Sequence, residues 1–439
     1  MSPQPDKTGR KRGYILTEEG LKKLNLALKE EKEKIGKKPS NEYIAEKADI
    51  GKEAISKIRN QKKPADESSI KALFLAFGLT LEEDDYGYLP PSSPSSDSSP
   101  SSDSSPDYLE RTSIESRCYA AIEKPGIPIR IQAPWYMGKT VLMNKILFRA
   151  KQQGYWVVSL SFGLVDKEQL SELDQFLRWF AACIGDKLKE LGVQLELPNK
   201  PEDYWDNTFG SKHSCKKYWE KHLLAKINKP LVLGLDDVDR IYQNPEIAQE
   251  FFDLLRDWCE EGKRSPNWKK LRLVLAYSRR IPNPDIFRSP FNLGESIKSL
   301  EFEPEEVEKL AQQYGLVRNN EQLEQLMAMV GGHPYLVQTA LKEISCQNTK
   351  LDELFKKAHT TEGIYHDHLK NMNDRLQQHP QLKDAMKKVV QTTEPILLEW
   401  EQMLNLESMG LVKVEGNQVT IRYPLYRKYF QNVSKLTND

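Results

Sequence analysis

Residues 127–148 read IPIRIQAPWYMGKTVLMNKILF: a short apolar run, a tight loop ending in Gly138-Lys139-Thr140, and an amphipathic stretch. This succession predicts a strand, a phosphate-binding loop and a helix. In such a loop the backbone N–H groups and the helix N-terminus face a polyphosphate, a lysine adds a point charge, and a hydroxyl holds Mg²⁺. Gly138, Lys139 and Thr140 stand in those places, and Val141 follows them onto the same ligand. The full pattern G-x-x-x-x-G-K-[ST] is not met, because Ala133 occupies the first glycine position. Alanine resists positive φ, so an altered loop is expected around Ala133.

About ninety residues on, Pro230 to Asp239 reads PLVLGLDDVD, a continuous apolar run of buried-strand type closing on the paired carboxylates Asp236 and Asp237. A strand that presents a carboxylate to Mg²⁺ requires this pattern. Either stretch alone also fits an ordinary capped loop or a buried strand ending in a solvated turn. The two together, in this order, favour a nucleotide site.

The chain has 439 residues, enough for two to four domains. Its 64 Lys and Arg balance 64 Asp and Glu, so no global field argues for nucleic acid. Five cysteines lie scattered without a C-x-x-C pair, which suggests neither a disulfide framework nor a zinc site and fits a reducing compartment. The N-terminus is polar and basic, and no apolar run approaches bilayer length. A cytoplasmic protein without a membrane partner is expected.

In chain order, apolar spacing predicts an amphipathic helix from about Thr17 to Ile35, with Leu21, Leu24, Leu28 and Ile35 on one face. Ser40 then caps a short helix with Ile44, Ala45 and Ala48 inward, and after a turn through Gly51 a second helix turns Ile55 and Ile58 inward. These two resemble the helix-turn-helix of phage-repressor-type DNA-binding domains. Residues 1–63 hold 17 Lys and Arg against 10 Asp and Glu, a local basic surplus. If the second helix enters a major groove, Lys52, Glu53, Ser56, Lys57 and Arg59 face bases and phosphates. The other reading is a small protein-interaction module whose lysines are a solvated face.

Residues 90–106 contain only proline, serine and aspartate and cannot bury apolar surface, so they read as a disordered spacer. Beyond it, Tyr155 to Phe162, the run ending at Asp236, and Leu271 to Tyr277 read as further strands alternating with helices, which predicts a parallel sheet. The last of them ends in Ser278-Arg279-Arg280, where a sheet edge places a polar or cationic group near a γ-phosphate. From Glu301 the pattern turns helical, with a proline and acidic first turn at Glu303 to Glu306. Residues 411–422, LVKVEGNQVTIR, carry a hairpin signal. Tyr423, Tyr426, Tyr429 and Phe430 at near-helical spacing read as core, and so do Trp179, Trp258 and Trp400.

From about Tyr108 to Phe430 the order GKT, FLRWF (Phe176–Phe180), LDDVDR (Leu235–Arg240), FFDLLRDW (Phe251–Trp258), SPFNLG (Ser289–Gly294), GGHPYL (Gly331–Leu336) and LESMGLV (Leu406–Val412) resembles the bacterial AAA-like ATPase-domain family and is similar to the STAND class of signalling ATPases. The resemblance implies an ATP-responsive P-loop switch with a helical lid and a winged-helix module. It divides the chain into a helix-turn-helix domain (1–88), a linker (89–107), an α/β nucleotide-binding domain (108–300), a lid (301–375) and a winged helix (376–439). It also implies that Lys139 contacts the β- and γ-phosphates, Thr140 ligates Mg²⁺, and Asp236 holds Mg²⁺ through water. Asp237 stands where the family usually has a glutamate that positions the attacking water, so slow hydrolysis is expected. Ser278 and Arg279 depart from the serine-threonine-glutamate more typical of this family and resemble the Ser-Arg sensor of other STAND proteins. Gly332, His333 and Pro334 fall where related switches set a G-x-P over adenine, and a helix-capping role for His333 stays open. The winged helix either binds DNA or packs on the nucleotide domain. The expected ligands are ATP and Mg²⁺, with duplex DNA or a protein partner at the N-terminal domain and a nucleotide-dependent homo-oligomer. The competing reading is a non-enzymatic DNA-binding regulator or adaptor with a degenerate P-loop.

Overall fold

The computed structural model divides the chain into two compact units, Met1–Asp103 and Ser104–Asp439. It describes residues 14–16, 39–48, 67–77 and 86–88 with scattered positions between 21 and 79 in the first, and 108–195, 205, 207–279, 292–298, 300–316, 320–347 and 351–436 in the second.

Five strands of the second unit, β1 (Ile129–Gln132), β2 (Trp156–Ser161), β3 (Leu231–Asp236), β4 (Leu271–Tyr277) and β5 (Glu295–Ile297), form one sheet in the order β2-β3-β4-β1-β5. Every pairing in it is parallel, with Ser161 opposite Asp236 and Gln132 opposite Tyr277. This register brings the carboxyl ends of β1 to β4 level. Because β4 lies between β1 and β3, the residues that follow it emerge between the loop after β1 and the carboxylates after β3. β5 was not foreseen from the sequence, since its three residues are too few to show a period.

Both central strands are buried along their whole length, which is why they read as unbroken apolar runs. Alternate residues serve opposite faces. Leu231, Leu233 and Leu235 join a core with helices α3 (Leu173–Glu190), α4 (Ser211–Tyr218) and α5 (Pro245–Glu261), whereas Val232 joins the other core. The first core is aromatic: Phe162, Phe176, Phe180, Trp219, Phe251, Trp258 and Trp268 are nearly inaccessible and pack ring against ring, with Trp219 and Trp258 centroids 4.5 Å apart. Burial of each such ring contributes about 1.5–3 kcal/mol.

On the opposite face lie α1 (Thr112–Ile122) and α2 (Lys139–Gln152), which turns Leu142, Met143, Ile146, Leu147 and Ala150 onto the sheet at helical spacing. This core continues without a break into α6 (Pro304–Gln313), α7 (Asn320–Val330), α8 (Pro334–Gln347), α9 (Leu351–Lys357), α10 (His366–Gln377), α11 (Pro380–Gln391), α12 (Trp400–Ser408) and α13 (Pro424–Leu436). The start of α6 carries the proline and a capping box between Glu303 and Glu306, as its acidic first turn indicates. The hairpin is present: β7 (Val412–Glu415) pairs with β8 (Gln418–Ile421), and a short β6 (Ile396–Leu397) adds to the other edge of β8. Tyr423, Tyr426 and Phe430 are buried as expected. Trp400 is not core: it is 50% exposed at the start of α12, flanked by the exposed Glu399 and Glu401, while Met403 turns inward.

In the first unit, Leu24, Leu28, Ile44, Ala45, Ala48, Ile55 and Ile58 share one core with Ile70, Leu73 and Phe74. A short antiparallel pair, Tyr14–Leu16 with Tyr86–Tyr88, went unread in the sequence. Lys52, Glu53, Ser56, Lys57, Arg59 and the spacer at 90–106 lie outside the described residues.

Candidate functional site

The loop after β1 closes on Gly138, whose left-handed backbone (φ 82°) turns the chain into α2. The alteration expected around Ala133 takes the form of an alanine without positive φ. Ala133 is buried, and its N–H donates to the Tyr277 carbonyl at 3.3 Å, so it simply extends β1 along β4. The left-handed residue lies three positions on, at Tyr136 (φ 62°). Left-handed turns at Tyr136 and Gly138 just before a helix make the kind of concavity in which backbone N–H groups converge on an anion.

Lys139 is 7% exposed and donates to the Pro134 carbonyl at 3.0 Å. Burial holds its ammonium below the usual lysine range, opposed by the charges of Asp239, Asp236 and Asp237. The Thr140 hydroxyl donates to the Asp236 carboxylate at 2.6 Å, joining the start of α2 to the end of β3 across 96 residues of sequence. Asp236 also accepts from the Asp237 N–H at 2.9 Å. Burial raises the Asp236 pKa, the hydrogen bond from Thr140 lowers it, and the neighbouring Asp237 raises it further. Asp237 has a left-handed backbone (φ 52°) and accepts from the Ser161 hydroxyl at 3.3 Å. Val141 points outward from the first turn of α2, 44% exposed.

Asp239 has a part that the sequence did not disclose. Its two oxygens accept from the N–H groups of Ser278 and Arg279 at 3.2 and 3.1 Å, fixing the chain where it leaves β4. The only sequence signal was a third acid in the run after β3. Arg279 pairs with Glu401 of α12, while its Nε has no hydrogen-bond partner among the described residues. Lys139, Thr140, Asp237, Asp239 and Arg279 line a single cleft of about 750 Å³, closed on its far side by Arg375 of α10, His379 and Ser408 of α12. Trp135 contributes to the wall. Its N–H donates to the Ser408 carbonyl at 3.0 Å and its ring lies under the Arg375 guanidinium at 4.5 Å.

Gly332, His333 and Pro334 do not line this cleft, contrary to the expectation that they cover a base. Gly332 makes its close approach to the protein's own backbone: its carbonyl accepts from the Phe302 N–H at 2.7 Å, and a Cβ there would meet the Phe302 oxygen at 2.0 Å. His333 is 1% exposed and caps α8, its Nδ1 accepting from the Leu336 N–H at 3.4 Å. The capping alternative is therefore the one the geometry realises.

The site's donors are oxygens, a hydroxyl and a carboxylate, which suit a hard cation such as Mg²⁺ completed by phosphate oxygens and water. Among the described residues no group of three or more His, Cys, Asp or Glu could hold a metal ion alone. The AAA-like domain family matches residues 96–432. The chain belongs to that family. Among solved structures, the fold of this AAA-like domain is similar to the Walker-type ATPase paby2304 of Pyrococcus abyssi, at 13% identity and TM-score 0.50 over 74% of this chain and 96% of that one. Weaker likenesses are the ORC2 protein of Aeropyrum pernix (12% identity, TM-score 0.37, 74% and 92% covered) and AMPPCP-bound DnaA of Aquifex aeolicus (16%, 0.34, 63% and 66%). No curated protein matches the chain. No helix among the described residues is long and apolar enough to cross a membrane.

Behind the loop of the AAA-like domain lie two buried histidines, with ring centroids 5.8 Å apart. Burial pushes His368 down to about 4, and burial with the charges of His368 and Arg422 holds His333 well below its ordinary value. Both pKa values are depressed on folding, so the stability of the neutral rings is full above 6.5 and lost as pH falls toward 4. His368 contributes a slope on the order of 1 kcal/mol per pH unit between those limits, and His333 acts in the same direction. Urea midpoints of the wild type are expected to drop between pH 6.5 and 4, and those of His368→Gln to drop less. Parallel curves for the two proteins would refute this assignment.

Proposed function

We propose that the protein binds ATP with Mg²⁺ and hydrolyses it slowly, using nucleotide state to shift a conformational equilibrium of its C-terminal helices. The observation that carries this reading is the bond from the Thr140 hydroxyl to the Asp236 carboxylate at the wall of a cleft that Lys139 and Thr140 line, together with membership of the AAA-like domain family. In this reading Gly138, Lys139, Thr140 and Val141 hold the phosphates, and Thr140 and Asp236 hold Mg²⁺, which supplies charge neutralisation when bound. Asp237 orients water. Ser278 and Arg279, fixed by Asp239, face the terminal phosphate, and charge there competes with Glu401 for the guanidinium. The helices α11 to α13 with the β6 to β8 sheet act as a winged helix packed on the nucleotide domain, supported by the bond from Trp135 to Ser408 and the core they share. The shift is driven by differential affinity of two states for nucleotide. Calorimetric titration of the full chain with ATP and Mg²⁺, with phosphate release measured alongside, tests it. Neither binding nor turnover would leave the degenerate-loop regulator as the reading.

The signalling role and the tethered helix-turn-helix belong to the same proposal. The shared core of Ile44, Ala45, Ile55, Ile58 and Phe74 supports two packed helices in the N-terminal unit, and the surplus of basic residues supports duplex DNA over a protein partner. Full-length protein is expected to bind duplex DNA with an affinity that falls steeply between 50 and 200 mM salt, on the order of tenfold or more for a few phosphate contacts. Salt-independent binding, or none, would count against it.

A further inference from the structure

Tyr136 adds to its part in the loop's concavity a set of ring contacts that the nucleotide reading does not use. It is one of two non-glycine residues among those described with a left-handed backbone, and a large aromatic side chain gains nothing locally from that conformation. The residue is 39% exposed, and its ring packs against two aromatic rings from elsewhere in the chain, one buried and one, that of Tyr335, itself 37% exposed. The centroid of Tyr335, at the start of α8, is 5.5 Å away, and that of His368, on the first turn of α10, is 5.0 Å away and edge-on. Those partners meet one another in a tilted pair at 5.3 Å, and His368 is anchored in turn, its Nε2 lying 3.0 Å from the buried Tyr426 hydroxyl of α13.

We propose that Tyr136 is a positioning residue that ties the shape of the phosphate loop to the docking of α8 and α10. The docked rings offset the cost of the left-handed backbone, and that backbone sets the concave run of N–H groups ahead of Gly138. When the rings separate, the offset is lost and residue 136 relaxes toward a right-handed conformation, which turns its N–H out of the concavity. A ligand that needs the concavity therefore favours the docked helices, and docked helices favour the ligand, by the same factor. The inference rests on the proposal that this loop binds the phosphates of ATP.

Three substitutions separate backbone from ring. Tyr136→Phe keeps both contacts, Tyr136→Gly removes the ring and the strain, and Tyr136→Ala removes the ring and keeps the strain. The expected affinities for ATP with Mg²⁺ place glycine, tyrosine and phenylalanine together and alanine about tenfold weaker. Hydrogen exchange across residues 366–377 is expected to slow on adding nucleotide in the wild type and in Tyr136→Phe, but to be nucleotide-independent in Tyr136→Gly. Equal affinities for the glycine and alanine variants would overturn the proposal, as would nucleotide-dependent protection that survives in Tyr136→Gly. Wild type that binds no ATP would instead remove the nucleotide reading and this inference with it.

Discussion

Lys139→Ala is expected to weaken binding of ATP with Mg²⁺ by about 10² to 10³-fold, the scale for deleting one partner of a desolvated charge pair. The magnitude follows from where the ammonium sits. It is buried and donates to a loop carbonyl, while three carboxylates act on it from a distance. A polyphosphate offers it far more charge than that carbonyl does. The effect on folding is expected to be small, because relief of a buried ammonium and loss of the countercharge facing Asp236, Asp237 and Asp239 oppose each other. Calorimetry on both proteins, with thermal melts as a control, separates the two quantities. Unchanged affinity in a folded variant would falsify the assignment of the loop.

Asp237→Glu is expected to raise turnover, by up to about 10²-fold, since a carboxylate one methylene short is misplaced by roughly an ångström. The backbone explains why the shorter acid stands here. Residue 237 has φ 52°, a region that aspartate enters more readily than glutamate because its short side chain can hydrogen-bond locally. The longer acid should therefore also lower the melting temperature by a few degrees, on the scale of about 1 kcal/mol in a left-handed position. Phosphate release under saturating nucleotide is the readout. A rate that stays the same or falls would show that carboxylate reach does not limit hydrolysis.

Much of the nucleotide-site architecture was legible because its signals are local. A buried parallel strand needs an unbroken apolar run, as at Leu231 to Leu235, and the turn into α2 needs a glycine at a left-handed position, as at Gly138. The hairpin at Gly416 and the capping box at Glu303 are likewise short-range chemistry. What failed were readings in which one residue type has two uses. The pair Gly332-His333 has the composition of a ligand-covering turn, but packing against Phe302 and the cap on α8 use both residues. Trp400 has the bulk of a core residue but sits on a solvent-facing turn.

Sequence alone determined the alternation of strands and helices and the place of the glycine turn before α2 and of the acids after β3, since each depends on neighbours within a few positions. Only the tertiary structure decided which groups meet. The bond from Thr140 to Asp236, the hold of Asp239 on the chain after β4, and the rings around Tyr136 join residues tens to hundreds of positions apart. Such contacts are set by strand order and helix packing, which place distant segments side by side and leave no periodic trace in the chain.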